Sequence, residues 1–206
     1  MFPDTREIAL VSAAFSAVAY VRYCWTIHSG KTVSSLAAWF VWLVVGTMIA
    51  ITYARTATGD SKIPPMIYAG GTLLVFIVSW SHNSQPIGWR EKIAFPFAIL
   101  GLLVWWQFHS VVAGLYIEMI VDCFGAIGVV ENAYRNPEKE DLPTWLLSSI
   151  GALINLFAVR RWGMKDFGEF AEGFYPTLVV FMCLAILGTA YFRSRECQRN
   201  TTVFNL

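Results

Sequence analysis

Charge is scarce in this chain. Only 14% of its 206 residues are Asp, Glu, Lys or Arg, against 56% hydrophobic and 16% aromatic residues, which is too little charge to cover a soluble domain of this size. A basic face is missing too. The formal net charge is +1, with the cations scattered among polar turns, so the concentrated positive surface that a phosphate backbone requires is excluded, and nucleic acid is not an expected partner. The four cysteines, Cys24, Cys123, Cys183 and Cys197, form no CxxC pair, and two fall inside apolar runs where a thiol acts as a small hydrophobe. No disulfide framework or zinc site is expected. His28, His82 and His109 lie at separate loop edges without HxxxH or HExxH spacing, and no P-loop, G-x-S-x-G or Ser/His/Asp arrangement occurs. The sequence therefore predicts no metal and no cofactor, and an enzyme is the less favoured class.

What the chain has instead is a series of apolar runs. A helix crossing a hydrocarbon core about 30 Å thick needs about 20 mainly apolar residues. Seven segments meet or approach that length: 8–27, 34–53, 63–80, 93–108, 111–130, 145–159 and 174–192. None alternates with the period of a membrane strand. The fourth contains Pro96, which membrane helices tolerate when neighbours satisfy the freed carbonyl. Asp4, Arg6 and Glu7 precede the first run, unlike the basic start of a cleavable leader, so it is read as a permanent span. The expectation is an all-α polytopic membrane protein of seven transmembrane helices in a single domain, 1–206, with connections too short to form a separate soluble unit. Arg6, Arg55, Lys62, Arg160, Arg161 and Lys165 fall on the amino-terminal side, and the rest of the fifteen Lys and Arg on the other. The positive-inside rule then puts the amino terminus outside and the carboxyl terminus in the cytoplasm, in a plasma or inner membrane.

The chain makes one manoeuvre twice. In "RYCWTIHSGKTVSSLAAW" (22–39) and "GVVENAYRNPEKEDLPTW" (128–145) it leaves an apolar run, passes a short polar turn and re-enters apolar sequence at a tryptophan. Setting Trp39 on Trp145 sets Ser16 on Asp122, Arg55 on Arg161 and the turn at Gly30 on the turn at Asn136. After a small shift Pro65 falls on Pro176, each expected in a helix's first turn, where its missing N–H costs least. The reading is a three-helix repeat in 1–82, a linker helix at 91–108, a second three-helix repeat in 110–193 and a tail at 194–206. One linker helix restores the direction of the chain, which makes the repeats parallel. In this layout, in size and in its "YRNPEKEDLPTW" turn the chain resembles the SWEET and PQ-loop superfamily and small bacterial membrane proteins of that architecture. The resemblance implies two parallel repeats about an axis along the membrane normal, with a solute site between them. The Pro-Gln dipeptide that names the family has no counterpart in "AFSAVAYVRY" or "FGAIGVVENAY"; Gly125 and Gly128 are the positions that soften the fifth span.

Few side chains inside the runs carry chemistry. Glu118 and Asp122, four apart in the middle of the fifth span, share one helical face at the depth where charge costs most, and no Lys or Arg lies at comparable depth. Carboxyls so placed keep a proton, hold a cation, or serve as hydrogen-bonded glue to small residues such as Ser12 and Ser16. Asn155 in the sixth span, with Ile49 at the matching place, suits a polyol or amide solute and equally suits helix–helix contact. Most of the tryptophans suit the membrane interface; Trp42 and Trp80 are kept as aromatic platforms for a solute. The run "EKED", 138–141, reads as a solvated turn. The expected function is a small-solute transporter or facilitator, with a proton as a further passenger, using Asp122, Glu118, Asn155, Trp42 and Trp80. The other reading is a scaffold subunit of a membrane complex, or a lipid-modifying enzyme with the carboxyl pair as general acid. Membrane lipids are the expected surroundings; a homo-oligomer or a larger membrane complex stays open.

Overall fold

Asp4, Ser35 and Asp141 each precede an apolar run, where an oxygen-bearing side chain can accept one of the N–H groups a helix leaves unpaired at its start. The computed structural model, which describes residues 4–56, 62–82, 111–159 and 167–204 with seven isolated positions between 92 and 107, uses all three in that way. Asp4 accepts from the Arg6 N–H and opens α1, Thr5–His28. Ser35 Oγ accepts from the Ala38 N–H at 3.2 Å and opens α2, Leu36–Thr56. α3 is Ile63–Ser81, with Pro64 and Pro65 in its first turn. α4, Val111–Arg135, leads through a single 3-10 turn, Pro137–Lys139, to α5, Leu142–Leu156, where Asp141 accepts from the Thr144 N–H at 3.1 Å. α6 is Phe167–Phe204.

Every element among the described residues is helical. Among the described residues, four helical stretches, Thr5–His28, Leu36–Arg55, Ile63–Ser81 and Gly173–Arg199, are long and apolar enough to cross a membrane; Leu142–Leu156 is apolar but shorter. Of the expected fourth span, 93–108, only positions 96, 99, 100, 103, 106 and 107 are described, each helical and exposed; the linker at 91–108 otherwise lies outside the described residues. Two boundaries differ from the sequence reading. The sixth run starts at Leu142 rather than 145, because the Asp141 cap and Pro143 set the helix start. The last helix begins at Phe167, so Pro176 sits in its interior and not in its first turn, and the expected tail is helical through Phe204. Arg193 paired with Glu196 and Arg195 bonded to Tyr191 support that extension on the helix surface.

The helices close into a ring. α1 packs on α3 and α5, α2 on α3 and α4, and α6 on α4 and α5. Exchanging α1 with α4, α2 with α5 and α3 with α6 leaves this set of neighbours unchanged. Small residues permit the close approaches, as in membrane bundles where van der Waals fit replaces the hydrophobic drive. A Cβ on Gly151 of α5 would stand 2.8 Å from Ser16 Oγ and 3.1 Å from the Ser12 carbonyl on α1, and one on Gly71 of α3 would stand 2.2 Å from the Tyr20 ring. Ser12 Oγ donates to the Gly151 carbonyl at 2.8 Å, tying α1 to α5.

One end of the ring carries both turns. There the Val33 N–H meets the Lys139 carbonyl at 3.3 Å, His28 meets His82, and Arg193 stacks on Tyr134 at 4.2 Å. The carboxyl ends of α1, α3 and α4 and the starts of α2 and α5 therefore share this end, and α6 runs toward it.

Candidate functional site

A cavity of about 90 Å³ lies within the ring, and each of α1 to α6 contributes to its wall. From α1 come Ser16, Tyr20 and Tyr23, whose spacing of four and three places them on one face. α2 adds Trp39, Trp42 and Gly46, and α3 adds Tyr68 and Thr72. α5 contributes Thr144, Trp145 and Ser148; α6 contributes a stripe that includes Tyr175, Val179 and Cys183. From α4 there is Asp122, near the midpoint of its helix and 7% exposed. Asp122 is the acidic group of the wall, and the wall contains no Lys, Arg or His among the described residues.

Packing holds Asp122 in place. The Trp42 indole N–H donates to the Asp122 backbone carbonyl at 3.2 Å, and a Cβ on Gly125 would stand 2.5 Å from that same nitrogen. Glycine one turn beyond Asp122 is thus what lets the indole lie across α4. Toward the turn-bearing end the rings meet one another: Trp39 and Trp42 at 4.9 Å, Trp42 and Trp145 at 6.3 Å, and Tyr23 with Trp39 at 5.2 Å and with Trp145 at 5.9 Å. These are edge and tilted pairs of the favoured kind, each worth about 0.5–1.5 kcal/mol beyond burial. They draw α1, α2 and α5 together and narrow the cavity at that end.

Behind Trp145 lies a polar cluster in the second turn. Glu140, 8% exposed, accepts from Asn132 Nδ2 at 2.6 Å and from the Trp145 indole N–H at 2.9 Å. Asn132 Nδ2 also donates to the Val33 carbonyl at 3.0 Å, which joins the two turns. Burial pushes the Glu140 carboxyl up to about 7, against the pull of the Trp145 and Asn132 donors. Asp141 holds Arg22 of α1 by two hydrogen bonds, 2.6 and 2.8 Å, while accepting from the Thr144 hydroxyl at 2.6 Å. The reading of 138–141 as a solvated turn is therefore corrected at Glu140 and Asp141; Glu138 and Lys139 remain exposed. Glu140 leaves solvent because two indole and amide donors satisfy it, and Asp141 because a guanidinium and a helix start do.

The sequence candidates separate in space. Asp122 and Trp42 stand in the cavity wall. Glu118, one turn from Asp122, is 1% exposed and outside the wall, and neither carboxyl oxygen has a hydrogen-bond partner among the described residues. Asn155 is 2% exposed and also outside the wall, with Oδ1 lacking a partner among the described residues. Trp80 is 70% exposed on the outer surface, against Phe76 at 5.8 Å, and is not brought to the cavity. Ser79 beside it faces inward and is fully buried, so the helical register turns Trp80 outward. Two histidines that looked unrelated meet: His28 Nδ1 and His82 Nε2 are 2.8 Å apart at the exposed end; His109 lies outside the described residues.

Reading by residue type missed the tyrosines of the wall, Tyr20, Tyr23, Tyr68 and Tyr175. Their signal was positional: Ser16, Tyr20 and Tyr23 recur on one face of α1, and Tyr175, Val179 and Cys183 recur on one face of α6. No protein-family model matches the chain, and no curated protein or solved structure matches it.

Proposed function

We propose that this chain is a small-solute transporter or facilitator, built as two parallel three-helix repeats of the SWEET and PQ-loop kind, with Asp122 as the polar site on the axis between them. Correspondence across the cavity carries the reading. The offset that sets Trp39 on Trp145 also pairs Ser16 with Asp122 and Trp42 with Ser148, all of them in the wall. The offset that sets Pro65 on Pro176 pairs Tyr68 with Val179 and Thr72 with Cys183, again all in the wall. A two-fold arrangement about a central path accounts for these pairs, as parallel-repeat carriers use. The ends of α3 and α4 support the seven-helix layout: α3 finishes at the turn-bearing end and α4 starts at the opposite one, the arrangement that a crossing linker serves.

In this reading Asp122 meets the solute and exchanges a proton with it or with the path. A carboxyl at mid-helix depth without a cation beside it is the type of group that marks ion and proton pathways in membranes. Glu118, buried and outside the wall, does not share that contact. The test is solute uptake into proteoliposomes at two pH values, wild type beside Asp122→Asn. The expected outcome is saturable flux that the substitution reduces at least tenfold. Absence of flux from folded, correctly inserted protein, together with failure of cysteines placed next to Asp122 to react with impermeant thiol reagents from either side, overturns transport and favours the scaffold reading.

A further inference from the structure

The wall of the cavity restricts what it can hold, and this inference rests on the reading of that cavity as the solute site. Its hydrogen-bond donors are largely committed elsewhere. Ser16 Oγ donates to the Ser12 carbonyl at 3.0 Å, Thr72 Oγ1 to the Ala69 carbonyl at 2.9 Å, and Thr144 Oγ1 to Asp141 at 2.6 Å. Two of the three indoles in the wall are occupied as well, Trp42 by the Asp122 carbonyl and Trp145 by Glu140, while the Trp39 N–H has no partner among the described residues. What remains uncommitted is weighted toward acceptors: the Asp122 carboxyl, the lone pairs of those hydroxyls and the aromatic rings, beside two donors, the Trp39 N–H and the Tyr68 hydroxyl. Tyrosine hydroxyls complete the wall and accept as readily as they donate.

Such a surface suits a guest that donates and carries positive charge. Aromatic faces attract a cation through the ring quadrupole, most strongly when water is excluded. One carboxylate supplies the counter-charge. An amino acid or other zwitterion brings a carboxylate of its own, and the wall has no Lys, Arg or His among the described residues to receive it. A sugar brings a ring of hydroxyls that need donors and acceptors alike, and most of the hydroxyl and indole donors named above are committed. Size points the same way: about 90 Å³ is less than the roughly 150 Å³ cavity that admits benzene. We propose that the solute is a small organic monocation of the ammonium type without a carboxylate, its N–H or N–methyl groups held between Asp122 and the faces of Trp42, Tyr20 and Tyr68.

The experiment pairs binding with flux. Full-length protein in lipid nanodiscs is titrated with methylammonium, trimethylammonium, tetraethylammonium, glucose and glycine, reading intrinsic tryptophan fluorescence; the same solutes are offered to proteoliposomes. Methylammonium and trimethylammonium are expected to bind saturably and compete with each other, while tetraethylammonium, glucose and glycine do not. Asp122→Asn is expected to weaken the binding at least tenfold. Trp42→Phe keeps a ring and is expected to weaken it only severalfold, whereas Trp42→Leu weakens it about as much as Asp122→Asn. Saturable ammonium binding without flux upholds the cation site and overturns transport. Asp122-dependent binding and flux of glucose or glycine, with none for the ammonium ions, overturns the cation site and upholds transport. No saturable binding of any ammonium ion to folded wild-type protein also overturns it.

Discussion

The two turns at the same end of the bundle use one frame with different chemistry. In the first, Ser35 caps α2 and Ser34, fully buried, donates to Ser79 on α3 at 2.8 Å. In the second, Asp141 caps α5 three residues before Thr144 just as Ser35 caps α2 three residues before Ala38, and Glu140 stands where Ser34 does. Each is followed by a buried tryptophan, but only the Trp145 indole has found an acceptor; among the described residues the Trp39 indole makes no hydrogen bond, though it lies by Tyr23. The same exchange of hydroxyl for carboxyl recurs in the cavity at Ser16 and Asp122. The lesson is that caps and ring packing suffice to define the frame, so either polar group is admitted, and charge has been gathered into one half. If the two sides are repeats, as proposed, the carboxyl on one of them is what would let the cavity respond to a cation or a proton in a directed way.

Moving the charge across is the most severe test of that comparison. Asp122→Ser is expected to reduce flux at least tenfold, and adding Ser16→Asp to it is expected to restore a measurable part; uptake by the double variant equal to that of the single one breaks the equivalence of the two sides. Next come the buried turn residues. Glu140→Ala removes the acceptor of the Trp145 indole and one of the acceptors of Asn132 Nδ2 and is expected to cost about 3 kcal/mol, against about 1 kcal/mol for Ser34→Ala, from the usual penalty for orphaned buried donors; reversible unfolding in mixed micelles reads both. Because burial raises the Glu140 carboxyl to about 7 from 4.5, the folded chain binds the extra proton in that interval. Stability is then expected to fall as pH rises from about 4.5 through about 7 and to level off above, a slope that Glu140→Gln removes.

Smaller differences refine the capping half of the comparison. Asp141→Ala loses a cap and a partly exposed pair with Arg22 and is expected to cost about 2 kcal/mol, against about 1 kcal/mol for Ser35→Ala, which loses an uncharged cap. Equal losses in the two variants would mean that the ion pair adds nothing. Arg22→Lys retains the charge but not the two-pronged contact, and a loss of about 0.5 kcal/mol in the same unfolding assay is the expected outcome.

Much of the helical layout was legible because apolar runs of membrane length leave few alternatives. The Trp39 and Trp145 correspondence was legible for a similar reason, since each marks the start of an apolar run after a cap. Asp122 was legible as a carboxyl out of place, and Trp42 as an indole one turn deeper than Trp39. The burial of Glu140 was not, because a run of charges looks solvated until the folded chain brings Asn132 and Trp145 to it, residues eight before and five after. Trp80 misled for the opposite reason: composition places a tryptophan near a helix end, but only the register, with Ser79 inward, says which way it faces. Pro176 likewise gave no warning that its helix starts nine residues earlier, since "FGEFAEG", with two glutamates and two glycines, reads as a turn before the apolar run.

The neighbour order in the ring has a consequence for biogenesis. α3 lies between α1 and α2, and α6 between α4 and α5, so the helices made first in each group have little to hold one another. Near the first turn α1 and α2 meet through the Tyr20 and Tyr23 rings on Trp39; along the rest of their length each awaits a later wedge. A ribosome that stalled after α2 would leave two membrane segments with their packing faces toward lipid, and a quality-control protease would meet them unassembled. Synthesis of α3 ends that exposure for the first group, and α6, translated after α4 and α5, does so for the second.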